Sequence, residues 1–130
     1  MNRILADITE IKTSGDLALV NLKCENEIFS SLIISQDDSI KVGQSVYMAF
    51  KETEVILREN TGEGISIENR FSCSIKSIQK GKILCEVVLN FKNQIITSII
   101  TAESCEKLNL FVGKELEALV KTNDLLLIQQ

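Results

Sequence analysis

"KILCEVVLNFKNQIITSII", residues 82–100, decides how this chain folds. Two runs rich in β-branched and apolar residues flank Lys92-Asn93, a polar dipeptide suited to turning one strand back on another. Just upstream, "CSIKSI" (73–78) alternates apolar and polar, the period of a half-buried strand. Downstream, "ELEALVKT" (115–122) and "DLLLI" (124–128) follow a turn at Val112-Gly113 and read as a last hairpin-like pair. Only "AESCEKLNL" (102–110) has helical spacing, with Leu108 and Leu110 placed to plug a core.

The same pattern occurs twice. A shift of 67 positions superposes Asn2 on Asn69, Ile8 on Ile75, Ile11 on Ile78, Leu17 on Leu84 and Val20 on Val87. It continues through Leu22/Leu89, Ile28/Ile95, Ser31/Ser98 and Ile33/Ile100. The second half then carries three extra residues, and at an offset of 70 Val42-Gly43 falls on Val112-Gly113, Lys51 on Lys121 and Leu57 on Leu127. Two tandem modules, residues 1–58 and 65–130, account for this register. Between them "RENTGEG" (58–64) is polar and contains glycine, as a linker should. The fold expected is mainly all-β: two tandem OB-like β-barrel modules, each with one short helix or turn. Modules this small bury little surface alone, so association of copies is expected on stability grounds.

The composition narrows the function. With 130 residues, 45% hydrophobic and 25% charged, the chain has a globular balance. No apolar run is long enough for a transmembrane helix, and no secretory leader is evident, so a cytoplasmic protein without membrane insertion is expected. A net charge of −4, with five Phe and one Tyr, argues against a basic, aromatic nucleic-acid face. The four cysteines, Cys24, Cys73, Cys85 and Cys105, form no CxxC pair, and the chain has no histidine. That excludes the usual zinc patterns and implies buried, reduced thiols.

"IITAES" (99–104) ends a strand in small hydroxyl residues. Thr101 and Ser104 could simply cap the helix that follows. They could also, with Lys107 nearby, begin a nest for a tetrahedral anion. Such a dianion presents only acceptors, so it calls for hydroxyls, backbone N–H groups and a cation. Binding of that kind requires no proton transfer, and a chain without histidine suits it: not an enzyme.

"ISIENRFSCSIKSI" and "IITAESCEKLNLFVGKELEALVK" together resemble the Mop module of molbindins, also called the transport-associated OB (TOBE) domain. The second copy carries the resemblance over nearly its whole length, and the first follows it in register. The resemblance implies molybdate or tungstate as ligand and no cofactor. It also implies homo-oligomers, a trimer or a dimer, with sites at subunit interfaces. By position in the family motif, the oxyanion contacts would be Ser66, Thr101, Ser104, Lys107, Lys121 and the backbone N–H of Thr122. Storage, homeostasis or transport regulation would be the role. A module that binds nothing, and associates with the ATPase of an ABC importer or mediates oligomerisation, is the alternative.

The sequence departs from the family at Glu68, where an arginine is usual, and in the shortened "IISQDDSIKVG" segment, which brings Asp37 and Asp38 toward the donors. Lys51 stands in the first module where Lys121 stands in the second, but with Glu52 beside it. The first module is therefore expected to be mainly structural, its site degraded, with Lys51 the weaker candidate.

Overall fold

The computed structural model describes residues 1–34, 39–59 and 63–130, so Asp37 and Asp38 lie outside the described residues. In the first half β1 (Asn2–Ser14), β2 (Leu17–Cys24) and β3 (Glu27–Ile34) form a meander, followed by β4 (Ser45–Phe50), a 3₁₀ turn at Glu52–Glu54 and β5 (Ile56–Arg58). The second half repeats this with β6 (Asn69–Lys80), β7 (Leu84–Phe91), β8 (Gln94–Thr101), β9 (Glu115–Val120) and β10 (Leu126–Gln129). α1 (Ala102–Lys107) lies between β8 and β9. The strands curl into two OB-like units, and the fold is mainly β, as the alternation implied.

Alternation decides which side chains enter each core. Asn2, Ile4, Ala6 and Ile8 point inward from β1, as Asn69, Phe71, Cys73 and Ile75 do from β6. The bulges repeat as well. Register slips between Ile8 and Glu10 and again between Ile75 and Ser77. Gly43 N–H donates to the Ile8 carbonyl and Gly113 N–H to that of Ile75, each at 2.8 Å. Both glycines have φ near +90°, a conformation that side chains disfavour, so the Val-Gly turns are tied to the bulges by geometry. At the Lys92-Asn93 turn both residues also have positive φ, the conformation that joins two strands by a two-residue loop.

The sheets do not coincide with the sequence repeats. One sheet runs β10-β4-β1-β2-β3 and the other β5-β9-β6-β7-β8. Each half therefore sends its last strand into the other's sheet: β5 pairs with β9, and β10 pairs with β4. The expected hairpin of "ELEALVKT" with "DLLLI" does not form, because β10 takes the edge of β4 instead. Local alternation sets where a strand begins and ends, whereas its partner is chosen by which open edge the chain can reach.

Buried polar side chains fasten the exchange. Asn69 Nδ2 donates to the Ser30 carbonyl at 2.8 Å, and its Oδ1 accepts from Ser30 N–H at 2.7 Å. Asn2 makes the matching pair with Thr97, at 2.9 and 2.8 Å. Each amide thus closes the free edge of the opposite sheet's last meander strand, satisfying backbone groups that would otherwise be buried unpaired. Ser31 Oγ donates to the Leu125 carbonyl, and Ser98 Oγ to the Val55 carbonyl. Phe29 and Phe71, one from each sheet, stack at 4.5 Å between centroids, and Phe91 meets Phe71 edge-on at 5.1 Å. The core is continuous across the two units.

Candidate functional site

α1 begins where β8 ends. Thr101 is its N-cap: its Oγ1 accepts from Ser104 N–H at 3.0 Å, and it donates to Ser104 Oγ at 2.9 Å. Capping is the first employment of these two hydroxyls, and it holds them together at the surface with the helix start. Lys107, one turn on, pairs with Glu103 at 3.3 Å, and both are largely exposed. An exposed pair of this kind contributes little stability and leaves the ammonium available. Below the surface, Cys105 and Leu110 are buried and Leu108 packs against the core, which anchors a helix too short to persist alone. Lys114 Nζ donates to the Leu108 carbonyl at 2.7 Å and that of Asn109 at 3.3 Å, closing the other end.

Lys121 and Thr122 occupy the link between β9 and β10, which the strand exchange sets on the opposite sheet. The Thr122 carbonyl accepts from Leu32 N–H at 3.0 Å, which sets this turn against β3 of the opposite sheet. Lys121 is exposed, and its carbonyl accepts from Asp124 N–H at 3.0 Å. The equivalent Lys51 turn packs instead on the β8 side, where Val55 accepts from Ser98. There Lys51 N–H donates to Glu54 Oε1 at 2.9 Å. The N-terminal ammonium meets Glu52 at 3.0 Å, and this bond holds the Glu52 carboxyl below the usual carboxylate range.

Ser66 is exposed in the extended segment leading into β6, with Glu68 exposed two residues on and Asn69 buried after it. The structure therefore brings Thr101, Ser104 and Lys107 together, and Lys121 with Thr122, as two separate clusters. No hydrogen bond or ion pair among the described residues joins one cluster to the other or either to Ser66. The residues that sequence reasoning missed are the clamps, Asn2, Asn69, Ser31 and Ser98. Asn2/Asn69 and Ser31/Ser98 were visible as coincidences of the repeat, but nothing local reveals what each amide or hydroxyl meets.

A family model described as the TOBE domain matches residues 65–127. Molybdenum-pterin-binding protein 1 of Clostridium pasteurianum is 37% identical over 65 residues, which are 49% of this chain and 96% of that protein. The chain belongs to the Mop/TOBE family. Molybdenum-pterin-binding protein 3 of the same organism is 34% identical over the same length. These Mop relatives correspond to about one module, and this chain carries two. A structure of the cytoplasmic molybdate-binding protein ModG, in a form with molybdate bound, matches with a TM-score of 0.92 at 21% identity. The match covers 99% of this chain and 96% of that one, so the fold is shared along the whole chain.

Proposed function

We propose that this protein binds molybdate or tungstate in the cytoplasm, as a carrier or buffer of the oxyanion and not as a catalyst. The observation that carries the reading is the match of one whole module to molybdenum-pterin-binding relatives. ModG, similar in fold along the full chain, binds molybdate in the form described by its name. The chemistry is compatible. Hydroxyls at the start of α1 and the ammonium groups of Lys107 and Lys121 are the donor types a tetrahedral dianion takes.

The Lys121-Thr122 turn is set against β3 of the opposite sheet, and on this reading the site is completed between copies. The α1 hydroxyls of one copy meet the lysine turn of another, with Ser66 at the rim. Large apolar side chains stand exposed at equivalent positions of both halves: Leu17 and Leu84, Ile28 and Ile95, Val42 and Val112, Ile56 and Leu126. A surface repeated in this way suits self-association into a dimer or trimer. Storage and homeostasis need only this assembly; regulation of uptake would add an importer ATPase as partner. Calorimetric titration of molybdate tests the binding, and sedimentation of the same sample tests the assembly. Saturable heat from a sedimenting oligomer is expected. A stable monomer that takes up no molybdate at millimolar concentration overturns the reading.

A further inference from the structure

Beside the strand pair β6–β9 lies a surface cavity of about 660 Å³ that the oxyanion reading does not use. Glu59, Ser72, Ser74, Asn90, Asn93 and Glu115 line it. Strand pairing sets Ser74 between Glu115 of β9 and Asn90 of β7, and Ser72 across from Glu117 of β9. Among the described residues, the side chains of Ser72, Ser74, Asn90, Asn93 and Glu115 make no hydrogen bond or ion pair. Glu117 is 6% exposed, and its Oε1 is buried without a hydrogen-bond partner. Arg58, paired with Glu117 from β5, has its Nη1 in the same state. A buried acceptor and a buried donor both lacking partners are costly, so they mark this side of the sheet for a further polar group.

The first half builds the same hollow and fills it differently. Leu5, Asp7 and Lys23, at the positions of Ser72, Ser74 and Asn90, line a cavity of about 290 Å³ there. The register pair Asp7–Ser45 is equivalent to Ser74–Glu115, an acid and a hydroxyl with their strands reversed. In the first half the two bond, Ser45 Oγ donating to Asp7 Oδ1; in the second they do not. The fold thus accounts for a hollow at this place, but not for unpaired polar groups in it.

We propose that the second-half cavity binds a neutral polyol, a sugar or sugar alcohol. A dianion would meet the carboxylates of Glu59 and Glu115, and the nearby ammonium groups are engaged, Lys114 with Glu59 at 3.7 Å and Lys92 with Glu25 at 3.4 Å. An organic cation would suit Glu115 but bring a second positive charge toward Arg58. A hydroxyl both donates and accepts, and so do the serine hydroxyls and asparagine amides of the lining. Polyol hydroxyls therefore bond Ser72, Ser74, Asn90 and Asn93 in either sense and donate to Glu115. Ser72 is placed to turn its hydroxyl toward Glu117 and offer its lone pairs to the ligand.

The test records amide NMR spectra of the full-length protein with glucose, sorbitol and myo-inositol as probes, each raised to tens of millimolar. For at least one probe, saturable shifts are expected at Ser72, Ser74, Asn90, Asn93 and Glu115, and none at Leu5, Asp7 and Lys23. Ser72→Leu installs the residue that the first half carries at this place, so the strand should tolerate it. It should weaken binding roughly tenfold or more, while Leu5→Ala leaves binding unchanged. No saturable shift with any of the three probes, equal shifts at both cavities, or undiminished binding by Ser72→Leu would overturn the proposal. Every outcome is read without molybdate, so the polyol site and the oxyanion site stand or fall separately.

Discussion

The two halves share the plan of their framework, but their sequences differ in length after β3 and β8. Bulges, Val-Gly turns, asparagine clamps and serine bonds occur in both, at the same places. Beyond β8 the second half has a capped helix with Thr101, Ser104 and Lys107, whereas the first half is three residues shorter there. Lys121 is followed by Thr122, and Lys51 by Glu52, which is occupied by the N-terminus. What is duplicated holds the strands together; among what has diverged are the groups proposed to meet an anion.

The asparagine clamps give the largest expected effect. Asn69→Ala strands the Ser30 N–H and carbonyl in a buried setting, and at about 1–3 kcal/mol per unsatisfied group the loss should reach about 2–6 kcal/mol. Asn2→Ala removes the equivalent pair at Thr97 in a part-buried site, where water can substitute, and should cost less. Urea unfolding of both variants checks this, and equal losses would show the two clamps to be equivalent.

Much of this arrangement was legible beforehand. The offsets of 67 and 70 exposed the duplication, the alternation exposed the strands, and the Lys92-Asn93 turn formed where its residues demanded. The destination of β5 and β10 was not legible. Residues 56–58 and 126–129 are short apolar runs suited to any open edge, and the edge they take is far away in sequence. For the same reason the lysine turns could not be assigned to a side of the molecule, and Lys121 could not be known to lie apart from Ser104.

Lys121→Ala should weaken molybdate binding by about 1.5–3 kcal/mol, roughly ten- to a hundredfold, through loss of a charge-assisted bond. Lys51→Ala should matter much less. Titration of both variants sharpens the comparison, because a larger loss at Lys51 would place the anion within one chain, on the β8 side.

The thiols separate the halves in alkali. Burial pushes Cys73 up to about 12 from an ordinary value near 9, and Ala6 occupies the matching position of the first half. Above pH 9 the unfolded chain loses this proton before the folded one does. The stability linked to Cys73 is therefore complete below 9 and declines as pH rises toward 12. One unit above 9 the decline should be about 1.4 kcal/mol. Chemical unfolding at neutral pH and at about pH 10 should show a smaller decline in Cys73→Ala than in the parent.

The hydroxyls of α1 give the smallest effects. Thr101→Ala removes the cap and should cost about 1 kcal/mol of stability. Ser104→Ala leaves the cap's N–H bond in place and should instead cost about 0.5–1.5 kcal/mol of molybdate affinity. Thermal melts and titrations of the two variants separate these roles. The reverse assignment would make Ser104 structural.

The account centres on an oxyanion held where two copies meet, and anomalous scattering at the molybdenum absorption edge tests this most directly. Crystals grown with molybdate should show a molybdenum peak with oxygens in hydrogen-bond reach of Ser104 from one copy and Lys121 from another. No peak, or one held within a single chain away from both residues, would contradict it.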